Sequence, residues 1–101
     1  MDTLSNATIL ASMSSPTTVK MKSLFENNPN LVDTEEGLAR RMGLSKEKIK
    51  NDIVNLVNIG ILKTRYVGET PVLFLDKQRA EEIDSIAKRI VFAGKIELKI
   101  G

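Results

Sequence analysis

The sequence predicts a mostly helical α+β domain. Three helices surround one core, a β-hairpin covers its edge, and an additional helix and a terminal strand follow. Three observations carry that expectation. Two segments with apolar residues at helical spacing meet across Met42-Gly43-Leu44-Ser45, where a glycine stop precedes a good N-cap. Beyond it, Ile49, Ile53, Leu56 and Val57 fall at i, i+4, i+7 and i+8, which is one face of a helix. Two β-rich runs, at 61–66 and 71–75, then flank Val67-Gly68-Glu69-Thr70, a turn with one glycine.

Taken in order, residues 1–14 are mostly small and polar, with one short apolar patch, Thr8 to Met13, that has no clear period. The patch can form a helical turn, a strand, or a tail that docks on a partner, and without a tether it is expected to be poorly ordered. Ser15-Pro16 reads as a helix start, with Ser15 as N-cap and Pro16 at the first helical position. Met21, Leu24 and Phe25 give this helix an apolar stripe to about Glu26, and Asn27-Asn28-Pro29-Asn30 ends it. Leu31-Val32 is too short to stand alone but can pair with a hairpin.

Asp33 to Glu36 matches a capping box, with Asp33 as the cap. The helix behind it runs to Met42, with Leu38, Ala39 and Met42 inward and Arg40 and Arg41 outward. Ser45 caps the next helix, 46–58, and Gly60 ends it. Its polar face carries Glu47, Lys50, Asn51, Asn55 and Asn58. Asp76 caps a last helix over 77–93, striped by Ala80, Ile83, Ala87, Ile90 and Val91 and closed by Gly94. Lys95 to Ile100 alternates strictly between polar and apolar, a strand pattern that requires a neighbour.

At 101 residues, this is one domain's worth of chain, enough to build a core without staples. The core expected from the stripes is Met21, Leu24, Phe25, Leu38, Ala39, Leu44, Ile49, Ile53, Leu56 and Ile59. Phe25 and Phe74 are expected in the core, Tyr66 packed on the hairpin face, and Phe92 toward a partner. With no Cys and no His, thiol chemistry, disulfides and the commonest metal ligand and general base are absent. The acidic groups Asp33, Glu35 and Glu36 are explained by capping, and Glu81, Glu82 and Asp84 by a solvated helix face. No catalytic constellation emerges, so an enzyme is not expected, and neither a cofactor nor a metal. No apolar run approaches 18 residues, and the N-terminus lacks a basic region ahead of an apolar one. Neither a membrane span nor a secretory signal is expected, which leaves a cytoplasmic location. A net charge of +2 is compatible with nucleic acid without demanding it.

Leu38-Ala39-Arg40-Arg41-Met42-Gly43-Leu44-Ser45, followed by Ile49, Ile53, Leu56 and Gly60-Ile61-Leu62, resembles a winged helix-turn-helix domain of the kind found in small prokaryotic transcriptional regulators. The resemblance spans residues 16–75. It implies a division into an N-terminal segment at 1–14, the winged domain at 15–75 and an appended element at 76–101. It also implies a partner, double-stranded DNA. The helix 46–58 is about 20 Å long and fits a major groove about 12 Å wide. Its first half would reach base edges. Ser45, Lys46, Glu47, Lys50, Asn51 and Asn55 are the candidate contacts there, and on the wing (61–75) Lys63 and Arg65. Asn suits adenine, Lys suits guanine or phosphate, and Glu suits cytosine.

The same polar face is also what a plain solvated helix displays, and the net charge over 46–58 is only +1. The same fold also serves as a protein–protein adaptor, the alternative to DNA binding. A homodimer through the last helix would double the phosphate contacts, whereas packing of that helix on the chain's own first helix needs no partner. The chain can also be the N-terminal part of a longer protein.

Overall fold

The computed structural model describes the backbone of residues 5–100 and the side chains of residues 5–89. Eight elements follow in order: α1 (Asn6–Ser12), α2 (Pro16–Asn27), β1 (Val32–Asp33), α3 (Glu35–Met42), α4 (Lys46–Asn58), β2 (Leu62–Val67), β3 (Thr70–Leu75) and α5 (Lys77–Ile100). This is the winged helix-turn-helix arrangement. α2, α3 and α4 make the helical core, and β2 and β3 form an antiparallel hairpin closed by the two-residue turn 68–69. β1 adds to the far edge of β3, giving the sheet order β1-β3-β2 with Val32 opposite Phe74.

Local chemistry fixes the helix ends. Gly43 and Gly60 adopt φ of 68° and 85°, where a side chain would be strained. Each closes a double hydrogen-bonded stop. Leu44 N–H donates to Ala39 O and Gly43 N–H to Arg40 O, and the pattern repeats with Ile61 to Leu56 and Gly60 to Val57. Asp76 caps α5 by accepting from Arg79 N–H at 3.0 Å. Arg79 in turn donates from Nε to Ile59 O at 2.8 Å, placing a cation against the C-terminal end of α4.

The core joins Met21 and Phe25 of α2, Leu38 and Ala39 of α3, Ile49, Ile53 and Leu56 of α4, and Ile59, Ile61, Leu62 and Leu73 from the hairpin side. Leu24 and Leu44, expected inside, are partly buried against it. Val57 is 36% exposed, at the rim of the apolar face of α4.

Three expectations are corrected and one open alternative is decided. Residues 6–12 form a helix: Ser5 caps α1, and Ile9 is buried in the core between α4 and α5. The apolar patch has no visible period because a helix of about two turns here buries only Ile9. The cap of α3 is Thr34, whose hydroxyl accepts from Gly37 N–H, and not Asp33. Asp33 accepts from Thr34 N–H and Arg41 Nε, each at 2.8 Å, so Arg41 folds back along α3. Asp84 is not merely solvated: its Oδ1 lies 2.7 Å from Lys22 Nζ, which also meets Glu26 at 2.9 Å, tying α5 to α2. The expected terminal strand, 95–100, is helical instead. α5 runs on through Gly94 to Ile100. A strand there would have no partner for its amides, whereas a helix satisfies them within itself. The expectation for Phe92, and those for Ile90 and Val91, fall on side chains outside the described residues.

Candidate nucleic-acid interface

α4 owes its orientation to its two faces. Ile49, Ile53 and Leu56 are buried, and Ser45 accepts from Lys48 N–H at 3.3 Å to start the helix. Asp52 lies on the buried side as well, at 4% exposure. Its Oδ1 accepts from the Thr18 hydroxyl at 2.6 Å and from the Ser15 hydroxyl at 3.4 Å. Ser15 makes no cap bond of its own to the amides of α2, so the carboxylate of α4 sits at the start of α2. Its negative charge suits that helix end. Asp52 Oδ2 is buried and has no hydrogen-bond partner among the described residues. With Asp52 withdrawn from solvent, the exposed surface of α4 carries Lys46, Lys48 and Lys50 against Glu47 alone, a balance of +2 in place of the +1 counted over the whole helix.

Lys46, Glu47, Lys50 and Asn51 are all exposed, and Asn55 is half-buried at the margin. Ser45 is exposed but spends its acceptor on the cap. Lys46 Nζ lies 3.8 Å from Glu36 Oε1, an exposed pair that costs little to exchange for another anion. Lys48 and Lys50 make no ion pair with the described residues.

The hairpin stands beside this end of α4. Lys46 shares with Thr34, Glu35, Glu36, Thr70 and Pro71 a cleft of about 310 Å³ between the starts of α3, α4 and β3. Lys63 is exposed, with Nζ 3.6 Å from Asp76. Arg65 is exposed too, and its guanidinium lies 5.3 Å from the centre of the Phe74 ring. That cation–π contact pre-orders the arginine on the wing. Tyr66 does not pack on the hairpin: it is 70% exposed, next to Val67 at 61%. The residues are in register with Pro71 and Thr70 at the turn end of the ladder, beyond the reach of the core.

Two features escaped sequence reasoning. Lys48 was not singled out, although a lysine one turn from Ser45 is as readable as its neighbours. Val54 belongs to neither face expected of this helix. It is 47% exposed.

Among the described residues, two groups have displaced proton affinities. Burial works against the charge of Asp33, but the bonds from Arg41 and the Thr34 amide outweigh it and hold its carboxyl below the usual range. Burial likewise works against Lys22, and its bonds to Asp84 and Glu26 overcome it and raise its pKa. Among the described residues, no group of three or more carboxylates gathers closely enough to hold a metal ion. No described helix is long and apolar enough to cross a membrane.

No protein-family model and no curated protein matches the sequence. Solved structures do. An ArsR-like transcriptional regulator from Rhodococcus sp. RHA1 superposes with a TM-score of 0.67 at 17% identity, covering 93% of this chain and 86% of that one. A possible transcriptional regulator from Methanosarcina mazei Go1 gives 0.64 at 15% identity, covering 92% and 84%. The AntR antimony-specific transcriptional repressor gives 0.58 at 14% identity, covering 94% and 90%. The likeness runs nearly end to end in both directions, and what this chain shares with these proteins is the winged helix-turn-helix fold.

Proposed function

We propose that this protein is a DNA-binding transcriptional regulator that acts by occupying an operator, without a catalytic step. One observation carries the reading: the outward face of α4 is mainly polar and stands beside the wing, with Lys48 and Lys50 uncommitted among the described residues. That face would enter the major groove, with Lys46, Glu47, Lys50 and Asn51 at base edges or phosphates and Asn55 at the margin. Arg65 and Lys63 would hold the backbone or minor groove from the wing. Three structural neighbours named as transcriptional regulators or a repressor support the reading over a protein-binding adaptor. A cytoplasmic location and a homodimer through the distal part of α5 belong to the same proposal. AntR is named for antimony, but this sequence has no thiolate to offer a soft metal.

The test is binding to duplex DNA across a salt series. With about four phosphates neutralised, the slope of log K against log salt is roughly −3.6, so a fourfold rise in salt weakens binding by about two decades. Lys50→Ala, Asn51→Ala and Arg65→Ala should each weaken it, Asn51→Ala with altered base preference and Arg65→Ala across all sequences. A chain that binds no duplex, or binds unaffected by all three changes, is not a regulator of this kind.

A further inference from the structure

Positions i, i+3, i+4 and i+7 of a helix share one outward face that can lie along the major groove, with the N-terminal residues of a helix-turn-helix reader nearest the bases. On α4 these are Glu47, Lys50, Asn51 and Val54. The buried positions Ile49, Asp52, Ile53 and Leu56 lie on the opposite side. Val54 therefore stands near the middle of the solvent face, in line with Glu47, Asn51 and Asn58, and not at the rim of the core.

A valine gains nothing for the isolated fold at such a position. It is a poorer helix former than lysine, glutamate or alanine. Its only apolar neighbour on the described helix, Val57, lies one turn on at the core's edge. The three other members of the reading set are polar or charged, each matched to a donor or acceptor on a base. The major groove offers one apolar feature, the C5-methyl of thymine. Asn51, one turn earlier, is the residue suited to adenine. Three residues of helix advance about 4.5 Å along the axis, close to the 3.4 Å between stacked base pairs.

We infer that Val54 is a specificity-determining residue that packs on a thymine methyl group, within one or two base pairs of the base read by Asn51. The inference rests on the DNA-binding reading above. In it α4 reads by two chemistries: hydrogen bonds from its amide and charged side chains, and a methyl contact from its one central apolar side chain.

The experiment uses the full chain and a duplex selected by it from a random pool. Each thymine of that duplex is replaced in turn by deoxyuridine, which removes only the methyl group. Binding is compared for the parent chain and Val54→Ala, with unfolding midpoints measured for both. At one thymine, the parent should bind the deoxyuridine duplex about fourfold more weakly, the loss expected for one buried methyl. Val54→Ala should show a smaller difference between the two duplexes there while unfolding at or above the parent's midpoint. If the parent and the variant show the same thymine-to-uracil ratio at every position, the inference fails and the DNA-binding reading stands. If Val54→Ala instead changes the oligomeric state and leaves those ratios untouched, Val54 is a protein contact and the inference fails as well. If the pool yields no bound duplex, both fail together.

Discussion

Asp52 shows how one side chain sets the pose of α4. Its carboxylate is taken from water and held by hydroxyls on α2, so α4 is tied to its neighbour by a polar bond as well as by Ile49, Ile53 and Leu56. Its Oδ2 has no partner among the described residues, which makes the Thr18 bond costly to lose. Thr18→Val keeps the shape and removes the donor, and it should cost about 1–3 kcal/mol in urea unfolding. In an Asp52→Leu background the same change should cost far less, since no buried acceptor remains to satisfy; equal costs in both backgrounds would mean Thr18 does not act through Asp52. Asp33 gives a second residue-scale expectation. Its folded pKa is depressed, so its share of stability is complete well above the ordinary value of 3.8 and is lost as pH falls through that value toward the lower folded one. The Arg41 side chain is half exposed, so that share is about 1 kcal/mol or less. The drop in unfolding midpoint between pH 6 and pH 3 should be smaller in Asp33→Asn than in the parent. An unchanged drop would show that Asp33 has no part in it.

Among the elements, α3 is the one whose sequence most misleads. Gly37 reads as a weak point in a helix of eight residues, and replacing a helical glycine with alanine ordinarily gains about 1 kcal/mol. Here the Asp33 carboxylate occupies the space a Cβ would take, so the methyl would push it off the Thr34 amide and Arg41. Gly37→Ala should therefore lower the thermal midpoint, and in an Asp33→Ala background it should raise it. A gain in both backgrounds would show that the carboxylate yields without cost. α5 misleads in the other direction. Its final six residues alternate with period two, but a period becomes a strand only where another strand accepts its amides, and here the chain stays helical. Its first turns are already engaged within the chain: Ala80 and Ile83 are buried, α1 packs against it, and Asp84 binds Lys22. The apolar stripe that suggested a partner is thus partly covered by the chain's own α1.

For the whole molecule, a homodimer through α5, as proposed, would use surface that α1 and Lys22 leave uncovered. Such a dimer would present two reading helices about one helical turn of DNA apart, about 34 Å. Light scattering at tens of micromolar should give close to twice 11.2 kDa, and inserting five base pairs between the half-sites of a selected operator should abolish tight binding by rotating one site to the opposite face of the duplex. A monomer in solution that tolerates the insertion would remove the dimer. The electrostatics also belong to this scale. In the proposed role, a face carrying +2, a wing arginine and an exchangeable Lys46–Glu36 pair would make a weak binder as one copy, and a second copy would double the phosphate contacts.

By itself the sequence determined the elements that local chemistry specifies. The glycines at 43 and 60, the Ser45 cap, the helical stripe from Ile49 to Leu56 and the hairpin about Gly68 were all legible, because each depends on residues within one or two turns of one another. The order of these signals was enough to predict the winged helix-turn-helix fold and to mark Lys46, Glu47, Lys50 and Asn51 as outward-facing. Only the tertiary structure decided what depends on distant neighbours. It turned Asp52 inward onto Thr18, drew Asp33 to Arg41, folded residues 6–12 onto α5, and left Tyr66 and Val54 in solvent. The reason is that burial and charge pairing are properties of three-dimensional neighbours. A carboxylate on α4 and a hydroxyl 34 positions earlier announce nothing to each other along the chain.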